Sequence, residues 1–180
     1  MVSPSEFMPR LFAENGHLLD SQGRITLDTP EALRALENYR ETYSYLDRTI
    51  YNFWKNALEG FADGSAGMTV VFINYASHTL NSNMPQITGK LGFAPVPGRR
   101  PLLGSGVIGI TKSCQCPETA CAFFKWLYAD LVAPVFTMMG GLSPCKSAYS
   151  NRDISEQYPW LSTARKSFPA AQRRGNSTYY

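Results

Sequence analysis

The 180-residue sequence lacks long apolar runs and concentrated charge. A membrane span needs roughly 18 apolar residues, and the longest candidate, LVAPVFTMMGG (131–141), is shorter and contains Pro134. The start, MVSPSEFMPRLF, has neither the positive region nor the apolar core of a signal peptide. The net charge is only +3, and the basic residues are scattered apart from two Arg-Arg pairs. The sequence therefore predicts no transmembrane segment and no nucleic-acid contact.

Catalytic and cofactor-binding motifs are also missing. The two histidines, His17 and His78, lie near no G-x-S-x-G motif. Cys145 follows Ser143-Pro144, but a cysteine nucleophile needs a positioned base, and none can be named. GSGVIG (104–109) approaches the dinucleotide-binding pattern, yet it opens a predicted strand rather than a helix. The sequence predicts a protein that is not an enzyme and has no cofactor.

The four cysteines do not have the spacing of a zinc site. Cys114 and Cys116 are separated by one residue, and no histidine lies near them in sequence. Cys121 falls in an apolar helix and is expected to face the core. Buried free thiols are favoured over a metal site or a disulfide, which fits a reducing compartment.

The first third of the chain predicts a hairpin followed by two helices. HLLDSQGRITLDTP (17–30) has two short apolar arms around a turn that ends in Gly23. Thr29 is placed to cap a helix that begins at Pro30 and lasts to about Tyr45. A second helix covers about 50–62 and ends at Gly64.

Three apolar runs predict strands between helices. They are Met68–Ile73, expected to be buried on both faces, Leu91–Val96 and Gly104–Thr111. Helices are predicted over Tyr75–Asn83 and from Pro117, the latter kinked or restarted near Pro134. Because strands alternate with helices over short connections, the predicted class is α/β.

The order of these pieces resembles the carboxyl-terminal half of a family 1 extracellular solute-binding protein. These proteins are the maltose-binding-protein-like sugar receptors of bacterial ABC importers. The matching pieces are NGHLLDSQGRITLDTPEALRALENYRE, FADGSAGMTVVF, GFAPVPG, GSGVIGITKS, PETACAFFKWLYAD and GGLSPCKSAY. The resemblance is strong over about 9–150 and weak in the tail. It implies a partial periplasmic-binding-protein-like fold of class II, and a wholly helical structure would contradict it.

The resemblance also implies a division into lobes. Residues 1–96 are expected in the carboxyl-terminal lobe. Residues 97–143 are expected to hold the hinge crossing and a segment of the amino-terminal lobe, and 144–180 to return to the carboxyl-terminal lobe. A whole receptor of the family is about twice as long, so the chain is expected to be a fragment.

The candidate ligand-binding residues follow from the same resemblance. Asn74 and Tyr75 come at the end of a predicted strand, where ligands of α/β proteins bind. An aromatic ring can stack on a sugar and an amide can bond its hydroxyls. The alternatives are that Tyr75 packs into its own lobe and that the nearby glycines serve strand–helix packing. The full set of candidates is Asn74, Tyr75, Ser105, Gly106, Ser143, Glu6 and Tyr179.

The implied function is non-catalytic binding of a carbohydrate or similar small solute for import. The expected partners are a small-molecule ligand, taken to be a sugar, and ABC permease subunits. The implied location is extracellular or periplasmic, with a membrane anchor in the full-length protein. The alternatives are a sugar-sensing effector domain of a cytosolic winged-helix transcription regulator, and a fragment with only a structural role.

Overall fold

The computed structural model describes residues 4–46, 53–81, 87, 89–104 and 106–174. This part of the chain forms helices joined by irregular segments, with β pairing limited to two isolated bridges. The α-helices are α1 (Pro4–Ala13), α2 (Pro30–Thr42), α3 (Phe53–Ala62), α4 (Ala76–Asn81), α5 (Pro117–Leu127), α6 (Val132–Met138), α7 (Arg152–Gln157) and α8 (Trp160–Ser167).

The chain divides into two compact units. Unit 1 comprises Met1–Ile50, Pro95–Gly104 and Lys166–Tyr180, and unit 2 comprises Tyr51–Ala94 and Ser105–Arg165. Each unit has its own cluster of buried apolar side chains.

The hairpin and helix α2 of unit 1 form as predicted. Leu19 and Ile25 make an antiparallel bridge, and the turn between them has Gly23 at a φ of +77°. Thr29 caps α2, because its hydroxyl accepts a 3.3 Å hydrogen bond from the Ala32 N–H. A 3₁₀ turn, Tyr43–Tyr45, extends this helix to its predicted end.

Helix α1 was not predicted, and it contributes most of the core of unit 1. It packs on α2, so the apolar stripe of each helix covers the other. The buried residues are Met8, Leu11, Phe12, Ala32 and Ala35. Pro9 lies inside α1, and a proline at that place argues against a helix when the sequence is considered alone.

Unit 2 is centred on helix α8 and the segments packed against it. Trp160 is 1% exposed, and its indole Nε1 has no hydrogen-bond partner among the described residues. The predicted break near Pro134 occurs between α5 and α6, and Gly64 ends α3 at a φ of +83°. The buried core residues are Ala76, Ala133, Ala148, Tyr149, Trp160, Leu161 and Ala164.

The three predicted strands are absent from the described part of the chain. Residues 68–72, 91–96 and 106–111 have no regular secondary structure, and Ile73 begins a 3₁₀ turn. The prediction that the first run is buried on both faces is also wrong, because Met68 is 89% exposed. A strand forms only where a neighbouring backbone pairs with it, and the described residues offer none beside these runs.

Helix α5 forms where it was predicted, but most of its apolar side chains are not buried. Of its residues only Leu127 is buried. Cys121 and Cys116 are exposed, so the predictions that Cys121 faces the core and that the thiols are buried are wrong. All four cysteines are free thiols. Burial would have required a second layer packed on α5, and this layer is missing from the described residues.

Within the described residues, no single helix has the length and apolar composition of a membrane span. Helices α5 and α6 reach that length and apolar composition only as a pair, and the chain bends by 74° between them.

Candidate functional site

Asn74 and Tyr75 lie in a 3₁₀ turn of unit 2 that leads directly into α4. The turn, Ile73–Tyr75, is closed by a 2.9 Å hydrogen bond from the Tyr75 N–H to the Phe72 carbonyl. Both side chains are half-buried. A tight turn, rather than the end of a formed strand, therefore positions this predicted pair.

The side-chain amide of Asn74 makes no hydrogen bond to any residue that the structure describes. Its backbone carbonyl is engaged, since it accepts a 3.0 Å hydrogen bond from the Ser77 hydroxyl. An amide has two N–H donors and a carbonyl acceptor. Asn74 is thus held by its backbone while its side chain keeps groups that can bond a hydroxyl.

The ring of Tyr75 pairs with the imidazole of His78. Their centroids are 6.1 Å apart and the rings are tilted by 41°, within the range of favourable aromatic pairs. His78 is exposed, and Tyr75 keeps part of its surface accessible. The contact restrains the tyrosine ring without burying it. Sequence analysis placed His78 in a helix but did not connect it with Tyr75.

Gly140 brings a second loop against this turn. A Cβ on Gly140 would lie 2.6 Å from Ser77 Oγ and 3.2 Å from the Asn74 carbonyl oxygen, and the glycine φ is +95°. Both the close approach and the left-handed backbone require glycine at this position. The loop that carries Ser143 therefore lies against the turn that carries Asn74.

Ser143 is 5% exposed, and its hydroxyl is used within its own loop. The hydroxyl accepts a 3.1 Å hydrogen bond from the Cys145 N–H. The Ser143 carbonyl accepts a 3.0 Å bond from the hydroxyl of Tyr149, which is also hydrogen-bonded to Thr137. Burial raises the pKa of Tyr149. These buried polar contacts shape the loop, and no motif in the sequence indicated Thr137 or Tyr149.

Gly106 is exposed and has open space where a Cβ would be. It makes no hydrogen bond within the described residues. No contact with a described residue there requires a glycine, and Gly106 stays a prediction as a ligand-binding residue. Two other candidates, Ser105 and Tyr179, lie outside the described residues.

Glu6 belongs to unit 1, where it lies on α1. Its carboxylate accepts a 3.1 Å hydrogen bond from the Tyr39 hydroxyl. The Arg10 guanidinium lies over the Tyr39 ring, 4.9 Å from the ring centroid, and also donates to the Glu6 carbonyl. Glu6 is therefore part of a surface network between α1 and α2. Like the other candidates, it stays a prediction as a ligand-binding residue.

The described residues contain no group of three or more His, Cys, Asp and Glu side chains arranged to hold a metal ion. The chemistry available at the Asn74 turn is instead an amide, an aromatic ring and an imidazole. Such groups bind neutral polar molecules through hydrogen bonds and ring contacts.

Comparisons with known proteins identify two similarities. The family model for bacterial extracellular solute-binding proteins matches residues 3–161. The solved structure of maltose-bound T. maritima MalE3 superposes with a TM-score of 0.81 at 26% sequence identity, covering 96% of this chain and 47% of that one. The chain thus spans about half the length of this relative. No curated protein matches it.

Proposed function

The chain belongs to the bacterial extracellular solute-binding protein family, and from that premise we propose that it binds a carbohydrate or a similar small solute for ABC import. Its fold is that of a periplasmic binding protein, as the similarity to MalE3 indicates. Family and fold point to a binding protein rather than an enzyme. The relative was solved with maltose bound, which supports a sugar as the ligand class here.

The Asn74–Tyr75 turn is the observation that supports this proposal within the chain itself. The Asn74 amide makes no hydrogen bond among the described residues and lies beside the half-buried ring of Tyr75, and the backbone of this turn is held by contacts with Ser77 and Gly140. A preformed arrangement of this kind loses little conformational entropy when a ligand binds. The proposed contacts are hydroxyl bonds to Asn74 and ring stacking on Tyr75.

The partners and location follow as parts of the same proposal. A receptor of this family would deliver its ligand to ABC permease subunits, and its family implies an extracellular or periplasmic location. The proposal also includes a class II topology and a membrane anchor. It includes the hinge crossing within 97–143 and the assignment of 1–96 and 144–180 to the carboxyl-terminal lobe.

A cytosolic sugar-sensing effector domain is the second candidate, and the cysteines favour it. The four thiols are free, and two of them, Cys116 and Cys121, are exposed. Exposed free thiols persist in a reducing compartment and are oxidised outside it. An adjoining winged-helix segment in the gene would support this role, whereas neighbouring permease genes would support transport.

Titration calorimetry tests the proposed function. A receptor of full family length that contains this chain is titrated with maltose and with other oligosaccharides. Tyr75→Ala and Asn74→Ala are each expected to weaken binding of the preferred sugar by about 1–3 kcal/mol. Tyr45→Ala, at a tyrosine that is 81% exposed in unit 1, should leave binding unchanged.

Melting curves of the same variants separate binding from folding. If Tyr75→Ala binds every sugar as the parent does but melts at a much lower temperature, the ring belongs to the core and the proposed site is wrong. If no carbohydrate binds the parent receptor while another solute does, the sugar assignment fails and the solute-binding role stands.

A further inference from the structure

Two segments of unit 1 carry charge of one sign only. Residues 95–104 and 166–174 contain five basic residues and no Asp or Glu. The acidic residues of unit 1 that the structure describes all lie in its first segment, within 4–46. Such an asymmetry of charge indicates a surface for a partner of opposite charge. The basic residues are Arg99, Arg100, Lys166, Arg173 and Arg174.

The fold brings together the two Arg-Arg pairs, which are far apart in the sequence. Leu102 and Gln172 form a parallel bridge, and the Gln172 N–H donates a 2.9 Å hydrogen bond to the Pro101 carbonyl. Arg100 lies two residues before this bridge and Arg173 lies one residue after it. Because an extended chain rises about 3.3 Å per residue, the two arginines are offset by at most about 10 Å along the paired segments. The two pairs therefore belong to one region of unit 1.

Helix α1 holds one arginine of each pair. The guanidinium of Arg174 donates a 2.9 Å hydrogen bond to Ser5 Oγ, and that of Arg100 donates a 3.4 Å bond to the Phe12 carbonyl. Ser5 and Phe12 are two helical turns apart on α1, which is about 10 Å. A guanidinium has five N–H donors, so most donors of both groups stay available to a partner.

Both pairs are accessible and have no counter-charge within the described part of the chain. Arg99, Arg173 and Arg174 are exposed, and Arg100 is half-buried. None of the four forms an ion pair with a described carboxylate. Positive charge without an internal partner attracts anions from outside the protein. Together these four residues are called the arginine surface.

The acidic residues of α1 and of the turn after it are held by other groups. Glu6 accepts a 3.1 Å hydrogen bond from the Tyr39 hydroxyl. Glu14 forms a 2.8 Å ion pair with Arg34. Tyr39 and Arg34 both belong to α2, so these contacts direct the two carboxylates toward that helix. The arginine surface therefore keeps its positive charge.

We propose that the arginine surface docks unit 1 on a bilayer that contains anionic phospholipids. The groups recognised are the headgroup phosphates, because a guanidinium forms paired hydrogen bonds with phosphate oxygens. Each basic side chain near an anionic membrane adds to the attraction, and salt weakens it. The inference rests on the proposed import role, since a receptor that delivers its solute to a permease works at a membrane surface.

A bilayer suits the arginine surface better than a nucleic acid does. Residues 95–104 and 169–174 contain no Phe, Tyr or Trp, so these segments offer no ring on which a base could stack. The net charge of the chain is only +3, below that of a typical nucleic-acid-binding domain. Headgroup phosphates are spread over a plane, and binding them needs neither a groove nor a stacking surface.

Vesicle sedimentation tests the proposal. The full 180-residue chain is mixed with vesicles of phosphatidylcholine alone, or with vesicles in which about 30% of the lipid is phosphatidylglycerol. Affinity for the anionic vesicles should exceed affinity for the neutral ones by at least about tenfold. It should fall by at least about tenfold between about 0.05 M and about 0.5 M salt. No sugar or permease is present, so the result does not depend on the candidate ligand site.

Matched charge variants assign the binding to the arginine surface. The double variant Arg99→Gln, Arg173→Gln removes two of its charges and should lower affinity for the anionic vesicles by about tenfold or more. The side chains of these two residues make no hydrogen bond among the described residues, so the melting temperature should not change. The control Arg24→Gln, Arg40→Gln removes the same charge from the first segment of unit 1 and should change affinity by less than about twofold.

Three results would overturn the proposal. Equal binding to neutral and anionic vesicles would assign the interaction to exposed apolar side chains. Equal losses in the two double variants would assign it to net charge alone. Absence of vesicle binding would also overturn it, and binding of inorganic polyphosphate in that case would assign the surface to a soluble polyanion. If the vesicle test succeeds while a full-length receptor binds no sugar, the proposed ligand is wrong and the docking surface stands.

Discussion

The hydroxyl of Tyr149 donates a 3.0 Å hydrogen bond to the carbonyl oxygen of Ser143, and both residues are buried. The bond joins the 3₁₀ turn Lys146–Tyr149 to the loop that lies against the Asn74 turn. A buried carbonyl that loses its donor keeps the cost of its desolvation. The Tyr149 hydroxyl therefore helps to hold the loop beside the candidate site, together with the bond from the Cys145 N–H to the Ser143 hydroxyl.

Tyr149→Phe is expected to lower the free energy of unfolding by about 1–3 kcal/mol, since the Ser143 carbonyl would be left without this donor. Urea denaturation followed by circular dichroism measures the change. Tyr45→Phe is the matched control at an exposed tyrosine and should change stability little. Equal effects of the two substitutions would show that the hydrogen bond contributes nothing.

Stability should fall in alkaline solution because of the same residue. Burial raises the pKa of Tyr149 above its ordinary value of 10.0, and the Cys145 thiol acts in the same direction. The unfolded chain therefore releases this proton at lower pH than the folded chain does, so stability is fully present below about pH 10 and decreases above it. Urea titrations between about pH 9 and pH 11 should show a steeper decrease for the parent than for Tyr149→Phe. Parallel curves would contradict the assignment.

Gly140→Ala should destabilise unit 2. The added methyl group would lie 2.6 Å from Ser77 Oγ, and alanine would have to adopt a φ of +95°. The backbone strain and the overlap together are expected to cost at least about 2 kcal/mol. Gly67→Ala is the control, because Gly67 has open space around it. If denaturant curves show Gly140→Ala to be as stable as Gly67→Ala, the close contact with the Asn74 turn does not exist.

Thr29→Ala should destabilise unit 1 by about 0.5–2 kcal/mol through loss of the α2 cap. The hydroxyl of Thr29 accepts a hydrogen bond from the Ala32 N–H, and alanine cannot replace it. Thr29→Ser retains the hydroxyl and is expected to keep most of the stability. Thermal unfolding of the three proteins distinguishes a capping role from simple loss of side-chain volume.

The helices were predictable because their signals are local. Thr29, Pro30 and the apolar stripe that follows lie within a few residues of one another, and so do Pro117 and the apolar run of α5. Strands depend on partners elsewhere in the fold, and 68–73 and 104–111 have none among the described residues. The expectation that a wholly helical structure would contradict the assignment to this family is therefore wrong. The chain superposes on MalE3 with a TM-score of 0.81 although the described residues contain no formed strand.

The candidate site was predictable only in part, for a related reason. The sequence shows directly that a polar residue, Asn74, and an aromatic residue, Tyr75, follow an apolar run. The contact of Gly140 with the Asn74 turn and the bond from Tyr149 to Ser143 depend on the tertiary fold. The glycine pair at 140–141 was visible as a break in the chain, but its packing partner was not.

Unit 1 is assembled from three separated stretches of chain, and this arrangement sets the order in which it can be completed during synthesis. Leu102 and Gln172 form a parallel bridge, flanked by a 2.7 Å hydrogen bond from the Leu103 N–H to the Gln172 carbonyl. Residue 172 leaves the ribosome after all of unit 2, so unit 2 can fold while unit 1 still awaits its last segment. A ribosome stalled between residues 165 and 172 would therefore carry a chain in which every residue of unit 2 has been made while unit 1 lacks its last segment.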